Sequence, residues 1–162
     1  MDSRSQNDNN KLKLLLKNVL ASLTIIYYSV FGAAFLSALA GYYILQHSLN
    51  IDAISKAGIT LSSILIIYII GSIPLTLAYF NRILKKIRLG EDTEYKLMEY
   101  KKYGFLRIVI IGVGFVLGIQ FFYILHSQSM IFCAGIAAIA LVFCKPSEIK
   151  IITDLNLENE DI

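Results

Sequence analysis

Long runs without a charged side chain constrain this chain more than any other feature. Asn18–Ile51 holds no Asp, Glu, Lys or Arg, Ala57–Asn81 is a second such run, and Ile108–Ser147 is broken only by Lys145. A span of about 20 apolar residues crosses a hydrocarbon layer roughly 30 Å thick as an α-helix. A soluble domain of 162 residues could not build its polar surface from 17% charged residues with 56% hydrophobic ones. The runs are apolar on every side instead of alternating, which excludes the strands of a membrane barrel. Backbone groups in lipid must then find partners within their own helix.

The expected fold is therefore all-α: a polytopic membrane protein with four transmembrane helices, Leu23–Leu45, Leu61–Phe80, Phe105–Leu125 and Met130–Cys144. The chain divides into a tail and interfacial helix start (1–22), a first transmembrane hairpin (23–80), a basic connector (81–104), a second hairpin (105–144) and a tail (145–162). Met1–Asn10 is polar and reads as an unstructured tail. Ala38-Leu39-Ala40 resembles a signal-peptide cleavage site, but the apolar run before it is longer than a signal core, so the first span is expected to stay. In the connector, Gly90 suits a helix end. Glu91, Asp92 and Glu94 suit the next helix's first turn, with Asp92 and Lys96 spaced to pair. After the last span, Ile149, Ile152 and Leu155 suit a short amphipathic surface helix.

Orientation follows from the basic residues. Placing the N-terminus, the connector and the C-terminus in the cytoplasm puts there every Lys and Arg but Lys56, out of 15. Both ends on one side requires an even number of spans. Arg82, Lys85, Lys86, Arg88, Lys101 and Lys102 form the flank that meets lipid headgroups.

Gly112–Leu125 repeats Gly32–Leu45 at an offset of 80, with five of fourteen positions identical. Gly32, Phe35, Tyr43, Ile44 and Leu45 meet Gly112, Phe115, Tyr123, Ile124 and Leu125, while Ala34 and Ala38 meet Gly114 and Gly118. Two parallel helical-hairpin repeats would follow, with Pro74 and Pro146 as weak markers of the second and fourth spans. Small residues four apart let helices approach closely in lipid. Ala34, Ala38, Gly112, Gly114 and Gly118 are thus the expected helix-packing residues, between the first and third helices or between two copies. Pro74, after Gly71-Ser72, lies inside the second span and marks a candidate hinge.

The spans carry little chemistry. No ionisable residue sits mid-span, which argues against ion-coupled transport; Arg107 lies just inside the charged end and Gln120 in the outer half of the third span, able to bond across to a neighbour. Cys133 and Cys144 read as soft apolar filler. His47, His126 and Asp52 come from two loops without the tight spacing of a metal site. No phosphate-binding glycine loop or zinc-protease motif occurs. No catalytic residue, cofactor or metal is expected.

Lys145-Pro146-Ser147 closing a span, followed by Ile152–Leu157, resembles the ending of small four-span bacterial membrane proteins that have no assigned function. The resemblance implies a bacterial inner membrane and no particular activity. The expected function is a non-catalytic structural or accessory helix bundle, the alternative a small transporter or channel subunit acting as an oligomer. The expected partners are the lipid bilayer and either a second copy or other membrane proteins. Nucleic acid is not among them, because the basic residues flank the spans.

Overall fold

The computed structural model describes residues 2–45, 52–90 and 92–157, and for 2–9 and 44–45 the backbone alone. All regular structure among these residues is helical. Helix α1 is Asp2–Ala40 and ends in a π-helical turn, Gly41–Leu45. Helix α2 is Lys56–Arg88, α3 Thr93–Leu125, α4 Gln128–Phe143 and α5 Glu148–Leu155. α1, α2 and α3 are each long and apolar enough to cross a membrane; α4 and α5 reach that length only as a pair bent by 73°. Alone, the 16 residues of α4 cover about 24 Å at the helical rise.

Local chemistry explains the ends. The Ser55 hydroxyl accepts from the Gly58 backbone N–H at 3.1 Å and caps α2. α2 stops at Arg88, and the Gly90 N–H returns to the Ile87 carbonyl at 3.0 Å. Asp92 caps α3 by accepting from the Glu94 N–H at 3.0 Å. His126, with φ 48° and ψ 30°, closes α3 in the left-handed region, and Ser127 begins α4.

Contacts set the directions. Leu23 lies against Gly104, Val30 against Gly112 and Tyr123 against Gly41, so α1 and α3 run parallel in steady register. α2 runs against α3: the Tyr68 hydroxyl donates to the Ile110 carbonyl at 2.8 Å, and Phe80 meets Tyr100 edge to face. α4 folds back along α3, with Ala134 against Gly118. The main core joins Leu16, Leu23, Phe80, Leu84, Ile108 and Leu141 at one end of the bundle. A smaller cluster, Leu65, Ile69, Leu125 and Met130, fills the other.

Several expectations need correction. The helix begins at Asp2, where a polar tail was expected; no Pro or Gly interrupts the chain between Asp2 and Phe31, so the helix carries back from the apolar part without a break. Pro74 lies inside the single helix α2 and is exposed on its surface. Pro146 lies between α4 and α5, so the two prolines are not equivalent. α5 buries Ile151 and Leu155 against the bundle, joined by Leu157, and turns Ile149 outward. That helix serves as a protein-packing element.

Candidate functional site

The charged end of the bundle gathers three segments that are distant in sequence. The Lys11 ammonium meets the Glu94 carboxylate at 3.1 Å and ties α1 to α3. The expected Asp92–Lys96 ion pair does not form, because Asp92 turns back to cap the helix and Lys96 is buried. Arg88, at the end of α2, donates through Nε to the Asp154 backbone carbonyl. The Tyr100 hydroxyl donates to the Asp154 carboxylate at 3.0 Å. Lys150 donates to the Phe143 carbonyl at 2.7 Å, placing a cation at the negative end of α4. Tyr100 lies on α3 before its charge-free run. Burial, and then the Asp154 carboxylate, push its hydroxyl above the usual tyrosine value, so it remains the donor of this bond.

Arg107 is the unusual residue of this region. Its side chain is only 6% exposed. The guanidinium lies over the Phe80 ring at 4.0 Å, a cation–π contact that offsets part of the desolvation of a buried charge. Its Nε is buried and has no hydrogen-bond partner among the described residues. Ser37 Oγ, further along α1, is also buried and unpartnered.

The predicted packing residues separate by partner. A Cβ on Gly112 would meet Val30 of α1 at 2.8 Å, one on Gly114 would meet Tyr68 of α2 at 3.2 Å, and one on Gly118 would meet Ala134 of α4 at 2.9 Å. The Gly114 and Gly118 faces are thus occupied within the chain by two different helices. This corrects the expectation that they form one contact with α1 or with a second copy. Ala34 is buried and Ala38 half-buried on α1. Arg82, Lys85, Lys86, Arg88, Lys101 and Lys102 are all exposed. Gln120 is half-buried and makes no hydrogen bond to a described residue, against the expected cross-helix bond. Cys133 and Cys144 are buried free thiols. His47 lies outside the described residues, and no metal-binding cluster occurs among those described.

Sequence reasoning noticed Arg107 only as a span-edge residue and missed the Tyr100–Asp154 bond. An arginine inside the start of an apolar run is a usable signal; a contact across 54 residues leaves none. Comparison with known protein families, characterised proteins and solved structures finds no match.

Proposed function

We propose that this chain is a multi-pass protein of a bacterial plasma membrane, with both termini and the α2–α3 connection facing the cytoplasm. It acts as a non-catalytic helix bundle that assembles with a second copy or with other membrane proteins. The observation that carries this reading is the gathering of basic segments at one end. Lys11 on α1, Arg88 on α2 and Lys150 on α5 all make their contacts there, and such a charge bias belongs on the cytoplasmic side. Closely packed glycines fill the seams between the helices, which favours a structural role over a transport path. The assembly surface follows from what remains outside: Phe35, Leu36 and Tyr43 on α1, with Ile64, Ile67 and Ile70 on α2, are broadly exposed.

Photo-cross-linking groups at Leu36 and Ile67, activated in native membranes, test the assembly. The expected product is a discrete adduct with another copy or with one recurrent protein. Lipid adducts alone at both positions would remove the accessory role. A reporter that is active only in the cytoplasm, fused after Leu157, is expected to be active; a silent reporter would overturn the orientation.

A further inference from the structure

We infer that the seam between α2 and α3 holds one anionic phospholipid of the surrounding bilayer, with its phosphate at Arg107 and the adjoining basic rim. Two cavities follow one another along this seam. The first, of about 260 Å³, is lined by Leu75, Leu106 and Ile110 and has Arg107 in its wall. The second, of about 400 Å³, is lined by Arg82, Lys86 and Glu99. Tyr79 and Tyr103 line both and stand edge to face at 6.2 Å where they meet. The seam therefore passes from aliphatic, through a pair of tyrosines, to charged. That is the order of an acyl chain, a glycerol region and a headgroup, with aromatic rings at the interfacial level.

Charge adds a second argument. Arg82, Lys86 and Arg107 contribute three positive charges to the two cavities and Glu99 one negative charge, leaving two positive. Glu99 also leans toward Lys102 at 3.9 Å, which reduces its repulsion of an anion. The Arg107 guanidinium lies over Phe80 and beside the Tyr100 hydroxyl, and only its Nε has no hydrogen-bond partner among the described residues. With a shift of the side chain toward the cavity, a guanidinium N–H would give a phosphate oxygen a short charge-assisted bond. A soluble anion would leave the aliphatic part of the seam unfilled, whereas a phospholipid satisfies both parts. The inference rests on membrane embedding and is independent of the assembly proposed above.

The test is native mass spectrometry of the full chain, released from detergent after exposure to equal amounts of phosphatidylglycerol and phosphatidylcholine. One phosphatidylglycerol is expected to remain on the wild-type chain in clear preference to phosphatidylcholine. Arg107→Gln is expected to cut that preference about tenfold, the size of one charge-assisted hydrogen bond, and Arg107→Lys to keep part of it. Because Arg107→Gln also loses the contact with Phe80, Leu106→Trp provides a second route: this side chain is 42% exposed, so a larger ring can fill the aliphatic cavity without entering the core. It is expected to lower phosphatidylglycerol retention while thermal unfolding stays as in the wild type. Equal retention of the two lipids by the wild type would overturn the inference. So would undiminished phosphatidylglycerol on both Arg107→Gln and Leu106→Trp, or a co-purifying peptide in the seam. Displacement of the lipid by millimolar inorganic phosphate alone would reassign the site to a soluble anion and also overturn it.

Discussion

Gly32 and Gly112 occupy matching places in two helices that run side by side. A Cβ on Gly32 would meet nothing within 4 Å, yet one on Gly112 would meet both Val30 methyls at 2.8 Å. The same divergence continues along the two stretches. Phe35 is 66% exposed, while the Phe115 ring packs on Phe31 at 5.7 Å. Tyr43 is exposed, while Tyr123 is half-buried over Gly41. The physical difference is the number of neighbours. α3 is in contact with α1, α2 and α4, and its glycines let all three approach. The second half of α1 meets α3 along one face and leaves the opposite face bare. Similar letters thus serve close packing in the central helix and lie exposed on the outer one.

The largest test of this contrast is Gly118→Leu. A Cβ there would stand 2.9 Å from the Ala134 Cβ and 3.1 Å from its backbone N and Cα. Backbone cannot swing aside as a long side chain can, so α4 must move away from α3. A loss of about 3 kcal/mol or more is expected, at the upper end for overpacked cores, read as a lower midpoint of thermal unfolding in detergent. A wild-type midpoint would mean that α3 and α4 do not meet at this position. Gly112→Ala comes next. The obstacle is the Val30 side chain, a β-branched residue with little rotameric freedom in a helix, and the expected loss is about 1–2 kcal/mol. If Gly112→Ala and Gly32→Ala melted alike, the distinction between central and outer helix would fail.

Tyr100→Phe probes a different kind of centrality. It removes the hydroxyl that donates to Asp154 at 3.0 Å and keeps the ring against Phe80. The expected cost is about 1–2 kcal/mol, because the acceptor is charged. Protease cleavage within α5 should accelerate, since this bond is one of the few polar ties between α5 and the bundle. Unchanged cleavage would show that Ile151 and Leu155 hold α5 by burial alone.

What could be read from the sequence was what depends on near neighbours. Charge-free runs specify helices because lipid offers no other backbone partner. Asp92 and Gly90 marked a helix start and stop because caps act within three or four residues. The positions of the basic clusters anticipated that α1 and α3 would run the same way. What was hidden depends on distant neighbours. Gly112, Gly114 and Gly118 look alike in sequence, and only the positions of Val30, Tyr68 and Ala134 assign each its own helix. Arg107 reads as one more flanking cation until Phe80 of α2 is placed beneath it. The buried face of α5 was misjudged because Ile149, Ile151 and Ile152 all look apolar. Which of them turns inward is decided by how the short helix bends from α4.

The smallest expected effect is also the most direct check of the outer helix. Gly32→Leu places four carbons where no atom lies within 4 Å of a new Cβ, so no steric penalty arises inside the chain. Leu is a better helix former than Gly by up to about 1 kcal/mol, a gain that lipid can reduce because its apolar surroundings already favour backbone hydrogen bonds. The midpoint of thermal unfolding should therefore remain at the wild-type value or rise slightly. The same variant separates lipid from protein at this surface. If the Gly32 side of α1 faces only acyl chains, an added leucine is one more apolar side chain, and cross-linking from Leu36 should not change. If a helix of a partner packs closely there, the leucine forces it outward, and the Leu36 adduct should weaken while the stability of the isolated chain is preserved. A destabilised chain would contradict both outcomes and place an intramolecular neighbour against Gly32.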